Sequence, residues 1–524
     1  MKLAKTAALA ALLCSTWLMP AMAQDLTIGR SSEQSSIDPQ FSRTGNNQMT
    51  SAMFFDRLVS FDPNLQMGPG LAESWDIVNP TTWTLHLRAG VTFHDGSLFT
   101  ADDVIFSLER ADEVPNSPAP YTDMVSAVAS MEKVDDLTLT ITTNAPAPTL
   151  MQDIGRVFII SKAAAEGKAS EDFSNPATAV GTGPYILEEW KPGETLTLKA
   201  NDAYWGTVPE FKDVEIRFIS NDAARVAALL SGSVDVIDSV PPQDMARVDA
   251  TDGLHAFSTA SGRVIYLGLS MRFDQAPGVT DLNGQPLAEN PFKDVRVRKA
   301  VSLMIDRALI VDRILGGSGV PAGQLAGEAL GGHNPDVGPD QPDVAKAKEL
   351  LAEAGYPDGF GITVYSSNDR FPGDGDLAQA LGQMLARGGL KVNGVEALPY
   401  SVYSKAASAG DYGAFVFSLG ASTPNSAPLL QALLHTYDKD RGLGAFNRVR
   451  FSDPAYDAAL EEALQEFDPA VLDTKLQDLT AMVFAEQPIV PLYWQKVHWG
   501  LKDGLTIAAG LDEQTLPQDV SSAN

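Results

Sequence analysis

The sequence predicts an α/β protein, because segments with the period of a strand alternate with segments of helical period along its whole length. Alternating apolar and polar side chains predict half-buried strands, most clearly at 83–87 (WTLHL) and 137–142 (LTLTIT). Amphipathic segments with capping signals predict helices, such as 101–110 after Thr100 and 376–387 before a Gly-Gly pair. With 524 residues, the chain also exceeds what one hydrophobic core usually holds, which predicts more than one domain.

Other segments follow the same two patterns in chain order. Further strands are expected at 26–29, 195–199 and 214–219. Further helices, bounded by acidic residues or glycines, are expected at 221–231, 295–315, 344–354, 454–466 and 472–485. The Gly-, Pro- and Ala-rich stretch 321–343 predicts a long ordered loop, and the polar stretch 516–524 predicts a frayed chain end.

The first 23 residues have the pattern of a secretory signal peptide. Lys2 and Lys5 precede an apolar run over 7–19, and the small-x-small site Ala-Met-Ala at 21–23 follows. The run is too short to span a bilayer as an anchor. We therefore expect a signal peptide over 1–23, a periplasmic location and no direct insertion in the membrane.

Composition excludes several functional classes. The only cysteine, Cys14, falls in the signal peptide after Leu13 rather than a small residue, so we expect neither a lipid anchor nor any thiol chemistry in the exported chain. The 67 acidic against 38 basic side chains give a formal charge of −29. A surface that acidic repels phosphate backbones, so nucleic acid is not expected as a partner.

Motifs for catalysis are missing. None of the six histidines has a second histidine four residues away, and the sequence contains no HExxH, no GxSxG and no P-loop. Residues 181–186 (GTGPYI) have isoleucine where a dinucleotide-binding motif needs its third glycine. The sequence therefore indicates a binding protein rather than an enzyme, with no metal site and no cofactor.

Five blocks carry a resemblance to a known family. Residues 71–110 read LAESWDIVNPTTWTLHLRAGVTFHDGSLFTADDVIFSLER, and the later blocks are 181–206, 292–307, 350–359 (LLAEAGYPDG) and 488–493 (PIVPLY). Together they closely resemble, in order, the family 5 extracellular solute-binding proteins, the peptide/nickel-type receptors of ABC importers. Residues in these blocks also have structural interpretations: Thr100 and Asp103 suggest a capping box, and Arg296, Arg298 and Lys299 suggest a solvated helix face.

The resemblance implies two lobes that close on a ligand about a hinge, with an extra subdomain in the first lobe. The extended apolar segments 263–269 and 489–493 are the predicted crossings between the lobes. The expected domains are a signal peptide (1–23), lobe I (24–57, 181–260 and 491–524), a lobe I subdomain (58–180) and lobe II (261–490).

The resemblance also implies which segments line the ligand cleft. The first is the loop after the opening strand, 30–34, where Ser32 and Glu33 are candidate contacts. The second is 366–371, where the Arg370 guanidinium would bind a carboxylate through two parallel hydrogen bonds, or else pair with a neighbouring aspartate at the surface.

The third cleft segment is 415–425. Peptide-binding members typically have Trp and then Asp there, and the Asp holds the ammonium group of the peptide. This chain has Leu419 and Ser422 at roughly those places, with Thr423 and Asn425 available for hydrogen bonds. A neutral or carboxylated ligand is therefore expected to fit better than a free amino terminus.

Four further side chains are candidates for the site. Asn447 and Arg448 would contact an anionic group, or stabilise the segment before the next helix. Trp494 would stack on the ligand or pack in the core, and Tyr403, on a predicted helix, has the same two alternatives.

The expected function is a periplasmic receptor that delivers a small peptide-like or carboxylate-bearing solute to an ABC permease of the inner membrane, acting as a monomer. A receptor for an oligosaccharide or a metal chelate is the alternative within the same fold. An exported hydrolase or chaperone is the alternative from another class.

Overall fold

The computed structural model describes residues 25–368, 370–439 and 441–523, so the predicted signal peptide lies outside the described residues. The strands are β1 Leu26–Arg30, β2 Val59–Phe61, β3 Met67–Pro69, β4 Ala72–Asn79, β5 Thr82–Leu87, β6 Val128–Asp135, β7 Thr138–Thr143, β8 Tyr185–Lys191, β9 Thr195–Ala200, β10 Asp213–Phe218, β11 Val236–Ile237, β12 Leu254–Leu269, β13 Val279–Thr280, β14 Gly319–Pro321, β15 Gly361–Ser367, β16 Lys391–Leu398, β17 Ala414–Gly420, β18 Val490–Lys502, β19 Leu505–Ile507 and β20 Val520–Ser522. The α-helices are α1 Gly45–Phe54, α2 Ala101–Glu113, α3 Thr122–Val125, α4 Leu150–Ile154, α5 Lys162–Ala165, α6 Asp222–Leu230, α7 Pro242–Asp249, α8 Val295–Leu303, α9 Arg307–Leu309, α10 Val344–Glu353, α11 Asp374–Gly388, α12 Tyr400–Ala409, α13 Ala427–Leu434, α14 Pro454–Ala463 and α15 Pro469–Ala485. No helix within these ranges is long and apolar enough to cross a bilayer.

Two long strands, β12 and β18, form the middle of a 12-stranded sheet. They run antiparallel, and their ladder shifts register between Ala260 and Val264. On one side of the pair the order is β11, β1, β10, β9 and β8; on the other it is β17 and β15, with β13 and β16 both paired to β15. The chain is therefore two lobes joined through β12 and β18.

Each lobe contains a short run of parallel strands. β1 is parallel to β10 and β11 in the first lobe, and β15 is parallel to β16 and β17 in the second. The carboxyl ends of parallel strands meet at one edge of a sheet, which is where α/β proteins bind ligands. The loops after β1, β15 and β17 therefore lie at such edges.

The predicted alternation of strands is confirmed in β5, β7 and β9, where buried side chains alternate with half-buried or exposed ones. β5 and β7 lie in a separate four-stranded sheet, in the order β4, β5, β7, β6. The capping box at the start of α2 is also confirmed, because the Asp103 carboxylate accepts a hydrogen bond from the Thr100 backbone N–H at 3.0 Å. The loop predicted over 321–343 contains no helix or strand apart from Pro321, the last residue of β14.

The prediction of one helix over 295–315 is wrong. α8 ends at Leu303, and the Asp306 carboxylate accepts a hydrogen bond from the Leu309 backbone at 2.9 Å, which makes it the N-cap of a new short helix. A π-helical turn at Ile310–Ile314 follows. The aspartate offers the backbone a local partner that competes with the continuous helix, so periodicity alone missed the break.

Two further predictions are corrected. The chain end does not fray over the residues described, since β20 pairs with β19 and Val520 is only 2% exposed. Arg298 does not lie on a solvated helix face: it is 3% exposed, and its guanidinium donates to the backbone carbonyls of Phe292 and Gln487. Buried carbonyl acceptors, rather than water, satisfy this charged group.

The glycines of the 181–184 segment allow it to touch the end of α1. The Gly183 backbone N–H donates to the Phe54 carbonyl at 2.9 Å. A Cβ atom added at Gly183 would lie 2.4 Å from the Phe54 carbonyl carbon, and one added at Gly181 would lie 2.0 Å from its oxygen. These contacts are with backbone, which cannot move aside as a flexible side chain can.

We expect Gly183→Ala to destabilise the protein by about 1–3 kcal/mol, because the added methyl group overpacks a contact between two backbone segments. Urea unfolding followed by tryptophan fluorescence measures the loss. Gly338→Ala is the matched control, because a Cβ atom at Gly338 meets nothing within 4 Å. Equal stability of the two variants would contradict the packing argument.

Candidate functional site

The candidates after β1 lie at the carboxyl edge of the first lobe. Ser32 and Glu33 are both partly buried. The Glu33 carboxylate accepts hydrogen bonds from the Trp190 indole at 2.8 Å and from the Gly193 backbone at 3.0 Å. These bonds fix the loop against the β8–β9 turn, so the Glu33 carboxylate is already occupied and Ser32 is the freer of the two.

Arg370 lies at the corresponding edge of the second lobe, after β15. Its side chain is exposed, and its guanidinium carbon lies 5.1 Å from the centre of the Tyr400 ring. Its backbone N–H donates to the Asp374 carboxylate at 3.0 Å. No hydrogen bond joins the guanidinium to another residue in the described ranges, so its N–H groups face solvent.

The turn after β17 uses most of its polar groups internally. The Thr423 hydroxyl donates to the Asn425 carbonyl at 2.9 Å, and the Asn425 side chain accepts from the Ala427 backbone at 3.1 Å. Leu419 pairs with β12, whereas Ser422 is exposed. The turn therefore presents Ser422, and residues 419–425 contain no carboxylate.

Tyr403 and Trp494 belong to the hydrophobic core of the second lobe. Tyr403 is 1% exposed, and its hydroxyl donates to the Val416 carbonyl. Trp494 is 7% exposed, and its indole donates to the Leu325 carbonyl at 3.1 Å. Both polar groups are satisfied within the protein, which favours the core alternative for each.

Asn447 and Arg448 are also engaged within the lobe. Asn447 is fully buried, and its amide donates to two backbone carbonyls at 2.8 Å. The Arg448 guanidinium lies 4.0 Å from the centre of the Phe417 ring and donates to the Ser408 hydroxyl. These contacts favour a stabilising role over a ligand contact.

A cavity of about 490 Å³ lies elsewhere, against the first lobe, and the sequence analysis missed it. Four chain segments line it: the end of α1 with the β2–β3 hairpin, residues 156–158, the stretch 184–210 and the C-terminal segment 512–521. Part of its wall is apolar, including Phe61, Leu65 and Phe158. Its size suits a small solute.

One wall of the cavity carries hydrogen-bond donors without acceptors. The Nε of Arg57 and the Nη2 of Arg156 are buried and have no partner among the residues described. Nearby, the Nε of Arg43 and the hydroxyl of Tyr121 are also buried and have no hydrogen-bond partner among the residues described. Burial raises the pKa of Tyr121 to about 12, although the charges of the three arginines act in the opposite direction. The three guanidinium groups therefore lie within electrostatic reach of one phenol.

These arginines are held in an unfavourable environment. Burial lowers the pKa of Arg57, and burial together with the charge of Arg57 lowers the pKa of Arg156 to about 10. An arginine side chain stays protonated in proteins, so two like charges lie together here, and the charges of Asp56 and Asp512 oppose the lowering of the Arg57 pKa. A bound anion would supply the missing acceptors and offset that cost.

The C-terminal segment contributes acceptors to the same cavity, and the charge of Asp512 acts on Arg57. Asp512, Gln514, Gln518 and Asp519 all line the cavity. The Oε1 atoms of both glutamines are buried and lack a partner in the described chain. Burial raises the pKa of Asp512 to about 6, and burial with the charge of Asp512 raises the pKa of Asp519 to about 7. The lining of the cavity therefore includes both basic and acidic side chains.

The cavity adjoins the crossing between the lobes. Leu65 packs in one hydrophobic cluster with Leu511 and residues of the second lobe. The Leu511 carbonyl accepts from Gly262 at 3.1 Å, and the Gly262 carbonyl accepts from Ala421 after β17 at 2.8 Å. Beside it, Arg263 and Glu513 form a two-point ion pair at 3.2 Å. The cavity and the β17 turn are thus neighbours.

A second group of unpaired donors surrounds Arg30, at the end of β1. Arg30 is fully buried and donates to the Thr50 hydroxyl at 3.1 Å, while its Nε and Nη2 atoms lack partners among the described residues. The Nε2 of Gln34 is likewise unpaired. A basic residue that ends a buried apolar strand was a signal that could have identified Arg30. No group of three or more His, Cys, Asp or Glu side chains suited to a metal ion occurs in the part of the chain described.

Comparison of the sequence with known proteins finds relatives that are named as binding proteins. The heme-binding protein A of Haemophilus influenzae is 28% identical over 444 residues, which are 79% of this chain and 77% of that protein. The glutathione-binding protein GsiB of Pectobacterium atrosepticum is 28% identical over 483 residues, 91% of this chain and 89% of that protein.

Solved structures show the same two-lobed fold. HbpA2 from Haemophilus parasuis matches with a TM-score of 0.82 at 24% identity, covering 96% of this chain and 100% of that one. The periplasmic binding protein DppA from Helicobacter pylori, in complex with the peptide STSA, matches with a TM-score of 0.74 at 23% identity, covering 95% and 98%. The family model of the bacterial extracellular solute-binding proteins, family 5, matches residues 66–441. This chain belongs to that family.

Proposed function

We propose that this protein is the solute receptor of an ABC importer and that it captures a small carboxylate-bearing solute at Arg57 and Arg156. The observation that carries the ligand class is that two arginines line the cavity, each with one buried N–H group that has no partner among the described residues. Guanidinium groups bind carboxylates through charge-assisted hydrogen bonds, which are stronger than neutral ones. The apolar part of the wall would cover the body of such a solute.

The relatives support this class of ligand. They are named for heme, for glutathione and for dipeptides, and all three molecules carry carboxylate groups. Their remaining chemistry differs widely, so the identity of the solute depends on the residues of this chain. A neutral oligosaccharide has no carboxylate to match the two arginines, and the described residues offer no ligand set for a bare metal ion.

The setting of the receptor is part of the same proposal. A leader over 1–23 would export the chain to the periplasm, where it would act as a monomer and dock on an inner-membrane permease. The predicted domains are supported in part by the hydrophobic clusters: the second lobe, the first lobe and its subdomain each have a cluster of their own, whereas a fourth cluster joins Leu65 and Leu511 to the second lobe. The break in the β12–β18 ladder is the proposed hinge, at which ligand binding would favour a closed state.

We expect Arg156→Gln to weaken binding of trialanine by about tenfold or more, because one charge-assisted hydrogen bond to the carboxylate is lost. Calorimetry against trialanine and trialanine amide measures this effect. The amide should bind wild-type protein more weakly and lose nothing further in the variant. Arg313→Gln, at an exposed arginine in the second lobe, is the control and should bind as wild type does. Equal binding of the acid and the amide would contradict a carboxylate site.

Arg370→Ala tests the position predicted from sequence. If the Arg370 guanidinium holds the carboxylate at the edge of β15, its loss should cost about tenfold or more in trialanine affinity. The same calorimetric titration distinguishes the two positions. A loss in Arg370→Ala with unchanged affinity in Arg156→Gln would place the carboxylate between the strand edges and overturn the cavity assignment.

A further inference from the structure

We propose that a cluster of three arginines on the second lobe, Arg272, Arg448 and Arg450, binds a phosphate group carried either by a soluble compound or by a lipid headgroup. None of the three lines the cavity that contains Arg57 and Arg156. The inference therefore goes beyond the proposed function and does not depend on it.

The three guanidinium groups lie close together. The Nη1 of Arg272 donates to the Ser408 carbonyl at 3.2 Å, and the Nε of Arg448 donates to the hydroxyl of the same serine at 3.3 Å. Burial, and then the charges of Arg272 and Arg448, lower the pKa of Arg450. Three like charges therefore share one region of the second lobe.

Aromatic rings at the surface hold two of these guanidinium groups in place. The guanidinium carbon of Arg450 lies 3.7 Å from the centre of the Tyr437 ring, and that of Arg272 lies 5.1 Å from the centre of the Phe273 ring. Both rings belong to exposed residues. A ring that contacts the face of a guanidinium group leaves its N–H edge for an acceptor in the plane. The rings therefore fix the groups without using their donors.

The backbone of Arg450 is strained. Its φ of 59° lies in the left-handed region, which is uncommon for a residue with a Cβ atom. In folded proteins such strain is concentrated at functional sites, where the surrounding structure holds the residue in place. The unfavourable backbone of Arg450 is an observation independent of its charge, and it favours a functional role for this side chain.

Arg272 and Arg450 have N–H groups that are open to solvent. Each uses its Nη1 atom within the protein, Arg272 toward Ser408 and Arg450 toward the Asn447 carbonyl at 2.6 Å. The Nε and Nη2 atoms of both have no partner among the residues described, and none of these four atoms is buried. Arg448 is engaged with Ser408, so it contributes its charge rather than a contact. Two accessible forks beside a third charge are available to an anion.

No carboxylate neutralises the cluster. Within the described ranges, no ion pair of 4.0 Å or less joins any of its three guanidinium groups to a carboxylate. Asp274 pairs instead with Lys293 at 2.6 Å, and the Asp438 carboxylate accepts from the Arg441 backbone at 3.1 Å. Other arginines on the same lobe are each paired with a carboxylate: Arg296, Arg313 and Arg441. The cluster is therefore a local concentration of positive charge on an acidic protein.

A phosphate group matches the cluster better than a carboxylate does. A phosphate monoester carries a charge of about −1.5 to −2 at neutral pH and three acceptor oxygens, so two arginines can bind it together while it offsets the charge of the third. The net charge of −29 repels long polyanions. Salt screens that field over a Debye length of about 8 Å, so a single phosphate group responds mainly to the arginines beside it.

We expect Arg450→Gln and Arg272→Gln each to weaken binding of inorganic phosphate by about tenfold or more, because a charge-assisted hydrogen bond is lost. Calorimetry on the full chain at constant ionic strength measures this effect. Glutamine also has a Cβ atom, so the backbone strain at position 450 is unchanged. Arg387→Gln removes the same charge from an exposed position at the end of α11, and it should bind phosphate as wild type does.

Cosedimentation with vesicles distinguishes the two sources of phosphate. The vesicles are phosphatidylcholine alone, or four parts phosphatidylcholine to one part phosphatidic acid, whose headgroup is a phosphate monoester. Binding only to the second kind, lost in Arg450→Gln and reduced by inorganic phosphate, would identify a lipid headgroup. Binding of inorganic phosphate without binding to either vesicle would identify a soluble phosphate compound.

Other outcomes would overturn the site. These are a wild-type protein that binds neither inorganic phosphate nor the phosphatidic acid vesicles, and an equal loss in Arg450→Gln and Arg387→Gln. Trialanine should bind Arg450→Gln as it binds wild type, which also shows that the variant is folded. A loss of trialanine affinity in Arg450→Gln would place the solute at the cluster and overturn a separate phosphate site. Arg156→Gln tests the carboxylate proposal independently of these results.

Discussion

The antiparallel ladder between β12 and β18 is the constraint on which the rest of the molecule depends. Its backbone hydrogen bonds run from Leu254, paired with Lys502, to Leu267, paired with Val490, so one continuous element belongs to both lobes. Parallel strands lie on both sides of this ladder, and the loops after β1, β15 and β17 follow the carboxyl ends of these strands. The register break at Ala260 and Val264 leaves the backbone of Gly262 free to bond outside the ladder, to Leu511 and Ala421. The cavity therefore lies beside the break because the C-terminal segment is tied to it there.

Buried polar atoms without partners are the most informative feature of this structure. Folded proteins satisfy the great majority of such atoms, since an unpaired buried donor costs roughly 1–3 kcal/mol. Arg298 shows the ordinary solution, in which backbone carbonyls satisfy a buried guanidinium. Arg57 and Arg156 lack that solution and also line a cavity. Arg30 also has two unpaired N–H groups in the core, so an unpaired donor points to a ligand only where the residue lines a cavity as well, as Arg57 and Arg156 do.

The fold was predictable wherever local pattern and tertiary context agree. The two-residue period of β5 and β7 and the capping box of α2 depend only on residues that are close together in the chain. The sequence alone was therefore enough to locate them. The helix break at Asp306 could not be located from sequence, because the periodic pattern continues on both sides of it and only one capping side chain interrupts the helix. Family resemblance and strand position together led to Arg370 at the edge of β15, although its role there stays a prediction.

The cavity could not be predicted from sequence patterns. Arg57 and Arg156 are far apart in the chain, and neither stands in a motif, so only the fold brings them to one wall. Asp519 lies in a stretch that was expected to fray. Pairing between β19 and β20 orders this stretch, so that Gln518 and Asp519 line the cavity. Polar composition described the segment correctly, but the inference to disorder failed because Leu516 and Val520 bury their side chains against the first lobe.

The strong acidity of the chain and an arginine-lined cavity are compatible. Salt screens the field of the surface charges over a Debye length of about 8 Å at physiological ionic strength, whereas contacts inside a partly desolvated cavity are screened much less. A net charge of −29 still disfavours the approach of a solute with excess negative charge. A small solute whose carboxylate is balanced by other groups has little net charge to be repelled, so the acidity of the chain and the proposed carboxylate site would both disfavour polyanions.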